Sequence, residues 1–219
     1  MRAGRIFRLF SRQRFYAEDK ADRFLRKTFF RGQARGVMVE VGAAGPTYLS
    51  MSRHFRESGW RVIAIEPNPH FVAQHRAAGF DVVPVACGDH DEDGVDFEIV
   101  NQPAAYAGGK ISYESFSSLR VKDSYRAHKP AIRSESIKVN LRRLDTVLEQ
   151  QKVSTLDLLS IDVEGWELEV LAGFSLERYR PRVVIMENFN RDPGYVSYML
   201  GRGYRLHSEA FPNQVFVPS

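Results

Sequence analysis

Alternating strand and helix patterns near the start of the chain are the feature that most restricts its fold. Short apolar runs at Val37–Val41, Arg61–Ile65 and Asp81–Cys87 have the length and composition of buried strands. Helical patterns at Tyr48–Ser58 and Pro69–Ala78 separate these runs. Because strands that alternate with helices are typical of right-handed parallel βαβ units, the sequence predicts an α/β domain with a mostly parallel sheet.

The pattern becomes irregular between residues 94 and 142 and is regular again afterwards. Val95–Val100 and Ile137–Leu141 alternate like half-exposed strands, with a Gly/Ala-rich loop at Gln102–Lys110 and a Ser-rich stretch at Tyr113–Leu119 between them. We interpret 94–142 as an insertion without a core of its own, which supplies substrate loops. The later elements are predicted as a helix at Asp145–Gln151 with Asp145 as its N-cap, a strand at Leu156–Ile161, a helix at Glu167–Ala172 ended by Gly173, a strand at Arg182–Met186, and a terminal hairpin of Tyr204–Ala210 and Gln214–Val217.

Length and composition fit one globular domain. The chain has 219 residues, of which 43% are hydrophobic and 26% charged. It contains no run of about 18 uncharged apolar residues, which predicts that no helix spans a membrane. Cys87 is the only cysteine, so an internal disulfide is excluded. We expect a cytoplasmic protein.

The positive charge is concentrated in residues 1–35. This segment has eleven Lys or Arg residues and three Asp or Glu residues, whereas the whole chain has a net charge of +4. Its apolar residues have helical spacing, so we predict an amphipathic helical leader or cap on a domain that spans 36–219. Peripheral contact with a membrane surface and a contact between copies of the chain are alternatives. We do not expect nucleic-acid binding, because the main domain is acidic.

A glycine turn and an acidic residue indicate a cofactor that contains adenosine. Val39–Val41 runs into Gly42-Ala43-Ala44-Gly45, whose small side chains let the backbone approach a ligand closely. Glu66, in Ile65-Glu66-Pro67-Asn68, lies 24 residues after Gly42, and a carboxylate at this position commonly binds the hydroxyl pair of a ribose. An exposed Glu66 that caps the next helix is the alternative. Cys87-Gly88-Asp89, after the third strand, is the expected adenine site.

The residues around the turn disfavour a dinucleotide. A dinucleotide fingerprint would have the pattern G-x-G-x-x-G, whereas Pro46 here removes an amide donor and Glu40 adds a negative charge where diphosphate would bind. A carboxylate suits a cationic ligand such as S-adenosylmethionine. The opposing hypotheses are a nicotinamide-dependent oxidoreductase and a non-enzymatic adaptor that binds RNA or a membrane through residues 1–35.

Two carboxylates follow the strand that ends at Ile161. Asp162 and Glu164 are expected to face the same side if the chain stays extended, at the sheet edge where open α/β sheets bind ligands. Capping of the following helix is the alternative for both residues.

Four motifs in this order resemble the FkbM family of S-adenosylmethionine-dependent methyltransferases: Glu40-Val41-Gly42-Ala43, Ala64-Ile65-Glu66-Pro67-Asn68-Pro69, Leu144-Asp145-Thr146-Val147-Leu148 and Ile161-Asp162-Val163-Glu164-Gly165. The resemblance covers about Val37 to Val217. It implies a Rossmann-like class I methyltransferase fold, with a seven-stranded sheet that ends in an antiparallel hairpin. It also implies O-methylation of a hydroxyl of a sugar, glycan or secondary metabolite. The chain departs from the family where Ala44-Gly45-Pro46 replaces Asn-Ile-Gly and where Glu40 replaces Asp. It also has Trp166 where a smaller or different hydrophobic residue is common.

The predicted site residues fall into three groups. Asp162 is expected to act as the catalytic base or, with Glu187, to hold Mg²⁺. The acceptor is expected to contact Ser115, Ser117, Ser118, Glu164 and Trp166. The cofactor-binding set is Glu40, Gly42, Ala43, Gly45, Glu66, Pro67, Asn68, Cys87, Gly88, Asp89 and Asp162. Among the six histidines, His70 and His75 are expected on a solvated helix face.

Overall fold

The interior strand β1 is paired in parallel with β2 on one side and β9 on the other, and the rest of the main sheet extends from these three strands. The computed structural model describes residues 13–100, 105–106, 111–112, 117–119 and 134–219. In chain order the strands are β1 Val37–Val41, β2 Arg61–Ile65, β3 Val82–Val83, β4 Ala86–Gly88, β5 Glu92–Val100, β6 Ala105–Tyr106, β7 Ile111–Ser112, β8 Ser134–Arg143, β9 Leu158–Ile161, β10 Val183–Glu187, β11 Tyr204–Ala210 and β12 Asn213–Pro218. The α-helices are Ala21–Thr28, Arg53–Glu57, Pro69–Ala77, Leu144–Gln150, Glu167–Ala172, Leu176–Tyr179 and Gly194–Leu200, and a 3-10 turn spans Glu18–Lys20.

The main sheet has seven strands in the order β3-β2-β1-β9-β10-β12-β11. All its neighbours pair in parallel except β12, which is antiparallel to both β10 and β11. The predicted Rossmann-like α/β fold with a terminal antiparallel hairpin is therefore confirmed. Because β1, β2, β9 and β10 are parallel, the residues that follow them meet at one edge of the sheet.

The helix Ala21–Thr28 is packed into the main domain. Leu25 and Phe30 are buried in an apolar cluster with Phe55 and Trp60 on one face of the sheet. The Phe30 ring meets the Trp60 ring edge-on, with 4.9 Å between centroids. Leu25 and Phe30 of this segment thus belong to the core, whereas Phe24 and Lys27 are exposed.

The predicted strand Asp81–Cys87 is wrong, because the chain leaves one sheet and joins another within it. β3 pairs with β2 over two residues, and β4 then pairs in parallel with β8 in a second, three-stranded sheet of order β4-β8-β5. Pro84 separates the two strands and has no N–H to continue the ladder.

The second sheet corrects the prediction for 94–142. Phe97, Val139 and Leu141 are buried with Ala86, so the described part of this region has a small core of its own. β6 lies within the predicted loop Gln102–Lys110 and pairs with β7, which directly follows that loop.

Two predicted helix starts are also corrected. The first turn of the predicted helix Tyr48–Ser58 is absent, since the helix begins at Arg53 and Leu49 has a left-handed φ of 51°. Asp145 is not an N-cap, because the helix begins at Leu144, and its carboxylate accepts hydrogen bonds from the Ser175 amide (2.8 Å) and hydroxyl (2.5 Å). Among the described residues no helix is long and apolar enough to cross a bilayer.

Candidate active site

A cleft lies at the carboxyl edge of the main sheet, and the second sheet forms its opposite wall. It brings together eight of the predicted site residues: Gly42, Glu66, Pro67, Cys87, Ser117, Ser118, Asp162 and Trp166. Predicted residues that do not line it are Glu40, Ala43, Gly45, Asn68, Gly88, Asp89, Glu164 and Glu187. Ser115 lies outside the described residues.

The glycine turn places backbone against backbone. Gly42 has a φ of +78°, and a Cβ atom there would lie 1.8 Å from the carbonyl oxygen of Asp162. The amides of Gly42 and Ala43 both donate to the Ile65 carbonyl, at 3.0 and 3.1 Å. These amides are therefore used within the protein, and what glycine permits is the close approach of the chains that follow β1 and β9.

Glu66 is held rigidly at the end of β2. One carboxylate oxygen accepts from the Ala44 amide and the other from the Asn68 amide, each at 2.8 Å. A carboxylate has about four acceptor positions, so about two remain for a ligand in the cleft. Burial raises the pKa of Glu66 to about 7.

Glu40 lies buried behind the cleft wall. Its Oε1 accepts from the Ser52 amide at 3.2 Å, while its Oε2 has no hydrogen-bond partner among the described residues. Burial raises the pKa of Glu40 to about 7, against the lowering effects of the Ser52 hydrogen bond and the Arg56 charge. A buried acceptor without a donor is unfavourable and suits a site that a donor group can enter.

Three carboxylates converge beside the cleft at Asp162, although Glu167 and Glu187 do not line it. One oxygen from each of Asp162, Glu167 and Glu187 lies within 4.8 Å of the others. Asp162 is exposed to the solvent of the cleft, and protein groups surround it on its other sides. Loss of bulk solvation raises the pKa of Asp162 above its usual range, as do the negative charges of Glu167, Glu18 and Glu40.

Sequence reasoning missed Glu167. Its Oε1 accepts from the amides of Val163 (3.0 Å) and Gly165 (3.1 Å), and its Oε2 accepts from the Tyr195 hydroxyl at 2.5 Å. Its place five residues after Asp162, in the first turn of a helix, is the signal that could have identified it.

Asp162 and Glu164 do not share a side, contrary to expectation. The chain leaves the extended conformation after β9, since φ is +58° at Glu164 and +93° at Gly165. Asp162 therefore faces the cleft, whereas Glu164 is buried away from its lining. Trp166 lines the cleft and occupies the N-cap position of the helix Glu167–Ala172.

The second wall carries small polar groups. Ser118 is buried and exchanges backbone hydrogen bonds with Glu98 (2.8 and 3.0 Å), and its hydroxyl has no partner among the described residues. The Ser117 hydroxyl accepts from the Val100 amide at 3.1 Å. Burial raises the pKa of the Cys87 thiol to about 12. Asp89 is exposed and bound by His90 at 2.7 Å, so its carboxylate is turned to solvent.

Asn68 and His75 support the turn from the helix Pro69–Ala77. The Asn68 Oδ1 accepts from the His70 amide at 2.9 Å and thereby caps this helix. His75 is fully buried, and its Nε2 donates to the Ala44 carbonyl at 2.9 Å. The expectation of a solvated His75 is wrong, because residues 71, 72 and 75 form the helix face that packs inward.

The strand order, and a cleft with acidic residues after β2 and β9, define a Rossmann-like α/β protein with a candidate ligand site at the sheet edge. The family model described as Methyltransferase FkbM domain matches residues 40–206. The chain therefore belongs to the FkbM methyltransferase family, as its motifs had indicated.

A solved structure shares this fold. The chain is similar to the Methyltransferase FkbM from Methylobacillus flagellatus KT, with 14% sequence identity and a TM-score of 0.50. The match covers 87% of this chain and 46% of the other, so this chain spans less than half the length of that structure. Among curated proteins no match was found.

Proposed function

We propose that this protein is an S-adenosylmethionine-dependent methyltransferase that O-methylates a hydroxyl group of a sugar, glycan or secondary metabolite. Family membership supports methyl transfer. The observation that carries the choice of cofactor is Glu66, a buried carboxylate that two amides fix at the cleft with acceptor positions to spare.

The residues at this end of the cleft fit such a cofactor. Glu66 would accept hydrogen bonds from the two ribose hydroxyls. Glu40, whose buried Oε2 has no partner among the described residues, would receive the amino group of the methionine part. Gly42 lines the cleft, and Cys87 and Pro67 give the cleft apolar contacts for the adenine.

At the carboxylate end, Asp162 would take the proton of the acceptor hydroxyl. The bound cofactor supplies a methyl group on a sulfonium, so the protein's main tasks are to align the acceptor oxygen and to remove its proton. A carboxylate with a raised pKa is a stronger base than an ordinary one, and Asp162 is open to the cleft.

In the second form of this proposal, a divalent ion held by the carboxylates activates the acceptor hydroxyl. Asp162, Glu167 and Glu187 offer one oxygen each within a small space, and hard oxygen ligands suit Mg²⁺. Such an ion would lower the pKa of the acceptor hydroxyl. Ser117 and Ser118 would contact the acceptor from the facing wall, and Trp166 from the edge of the main sheet.

Titration calorimetry with S-adenosylhomocysteine and with NAD tests the choice of cofactor. We expect the first ligand to bind and NAD not to bind. Glu66→Ala should weaken binding by about 1–3 kcal/mol, because charge-assisted hydrogen bonds are lost. Glu177→Gln, at an exposed position outside the cleft, is the control. Tighter binding of NAD would overturn the proposal in favour of an oxidoreductase.

A transfer assay with radiolabelled methyl groups tests the acceptor class. We expect label in at least one of a panel of nucleotide sugars, lipid-linked glycans and polyketides, and an alkali-stable ether product. Label on nitrogen or carbon would contradict O-methylation.

The basic leader is proposed to act as a helical cap and not as an RNA-binding arm. Its described apolar residues Leu25 and Phe30 are buried in the core. Tight, salt-sensitive binding of generic RNA at physiological salt would contradict this role and favour the adaptor hypothesis.

A further inference from the structure

His75 makes a hydrogen bond whose direction fixes its protonation. Its Nε2 lies 2.9 Å from the Ala44 carbonyl oxygen, which can only accept, so Nε2 carries the proton. Its Nδ1 is buried and has no hydrogen-bond partner among the described residues. Burial lowers the pKa of His75, so the ring is neutral. The side chain is therefore a single, fully buried donor aimed at Ala44.

Ala44 needs such a donor because its backbone conformation is unfavourable. Its φ of +43° is in the left-handed region, where a Cβ atom crowds the following carbonyl. Both of its backbone polar groups are held: the amide donates to Glu66 at 2.8 Å, and the carbonyl accepts from His75. The two bonds together hold the peptide groups of Ala44 in this conformation.

These bonds form part of a closed loop of contacts. The second oxygen of Glu66 accepts from the Asn68 amide, and Asn68 caps the helix that carries His75. The same helix packs on the turn at Gly45, where a Cβ would lie 3.1 Å from the Gln74 side-chain oxygen. The turn, Glu66 and the helix Pro69–Ala77 are thus one hydrogen-bonded unit.

We propose that His75 is a positioning residue for the cofactor: its Nε2–H holds Ala44 in the left-handed conformation, and through Ala44 it orients the Glu66 carboxylate in the cleft. His75 does not line the cleft, so it acts through the turn. This inference rests on the proposed function, since Glu66 is the residue that would bind the ribose.

The test compares five variants by calorimetry with S-adenosylhomocysteine and by thermal unfolding. His75→Leu removes the donor and should weaken binding about tenfold or more. His75→Gln places an amide donor near the position of Nε2 and should keep affinity within about threefold of wild type. Ala44→Gly should restore most of the affinity that His75→Leu loses, because glycine adopts positive φ without steric cost. The single Ala44→Gly variant is the reference for the double variant. His70→Leu, on the exposed side of the same helix, is the control.

The outcomes separate this inference from the proposed function. If wild type does not bind S-adenosylhomocysteine, the proposed function fails and the inference fails with it. If wild type binds and folded His75→Leu binds equally well, the inference alone is overturned. Should His75→Leu not fold, the double variant decides, and weak binding by a folded double variant contradicts the inference. Nitrogen-15 NMR of the ring adds a spectroscopic readout, because a neutral ring protonated on Nδ1 would also overturn it.

Discussion

The backbone of Gly42 touches the carbonyl of Asp162, so the cofactor turn after β1 and the catalytic candidate after β9 are fixed against each other. The Asp162 amide donates to the Val41 carbonyl at 3.0 Å, one residue before the contact. No side chain fits between the segment after β1 and the segment after β9, since a Cβ atom on Gly42 would lie 1.8 Å from the Asp162 carbonyl oxygen. A change at Gly42 therefore displaces both halves of the site.

Gly42→Ala should destabilise the protein more than the same change at a glycine with free space. Gly79 has a similar φ of +74°, and nothing lies within 4 Å of its added Cβ. Gly79→Ala should cost about 1–2 kcal/mol from conformation alone. Gly42→Ala should lower the free energy of unfolding by about 1–3 kcal/mol more than Gly79→Ala does, because of the backbone clash. Chemical denaturation of both variants measures the difference, and equal losses would show that the clash is relieved cheaply.

Glu40→Gln should make the unliganded protein more stable at neutral pH and weaken its cofactor binding. The pKa of Glu40 is raised from 4.5 to about 7 in the folded chain, so folding takes up a proton between these values. Stability from this group falls as pH rises through that window. The melting temperature of Glu40→Gln should therefore match wild type near pH 4.5 and exceed it above pH 7. A constant difference across this range would argue against a buried, titrating Glu40.

Cofactor affinity should change in the opposite direction. A carboxylate at position 40 is expected to pair with the amino group, and the neutral amide cannot, so Glu40→Gln should bind S-adenosylhomocysteine about tenfold more weakly or worse at pH 8. Glu177→Gln is again the matched control. Unchanged affinity would remove Glu40 from the cofactor site.

Asp162→Asn should retain cofactor affinity and lose turnover by about 10²-fold or more, the scale of general-base catalysis. The amide has the same shape but neither the charge nor the basicity. Because the pKa of Asp162 is raised above its usual range, wild-type turnover should increase with pH as this group ionises. A variant with near-normal turnover and intact binding would exclude Asp162 as base and as metal ligand.

Chelation separates the two forms of the mechanism. If EDTA abolishes wild-type activity and Mg²⁺ restores it, Glu187→Gln and Glu167→Gln should raise the Mg²⁺ concentration needed for half-maximal activity. If EDTA has no effect, Asp162 acts without an ion. Glu167→Gln must also be checked for folding, since its carboxylate binds two amides and the Tyr195 hydroxyl.

Phe30→Ala should cost about 3–5 kcal/mol of stability, because its ring is buried between Phe55 and Trp60. Phe24→Ala, at a position 38% exposed, should cost less than about 1 kcal/mol. Urea unfolding of the two variants tests whether this part of the leader belongs to the core. If both variants lost less than about 1 kcal/mol of stability, this part of the leader would not belong to the core.

Local patterns were enough to predict the elements whose ends are marked by turn residues. β1, β2 and the helix Glu167–Ala172 have the predicted bounds, since glycine or proline follows each closely. The partner sheet of a strand depends on tertiary pairing, so the change of sheet around Pro84 could not be derived from the apolar pattern of 81–87. In the same way, two left-handed residues after Val163 decide that Glu167, and not Glu164, joins Asp162.

Because the chain changes sheet between β3 and β4, the two walls of the cleft belong to different sheets with separate apolar cores, and each wall can be altered separately. The wall proposed to bind the cofactor is built on the main sheet and its large apolar clusters, whereas the core of the facing wall has four buried residues among those that the structure describes, Ala86, Phe97, Val139 and Leu141. It is anchored where Gly173 packs on the Gly88 carbonyl, with no room for a side chain. If the proposed function holds, substitutions within the small sheet should alter which acceptor enters while the main sheet and its proposed cofactor contacts stay intact. The small sheet is then the part to exchange in chimeras within the family.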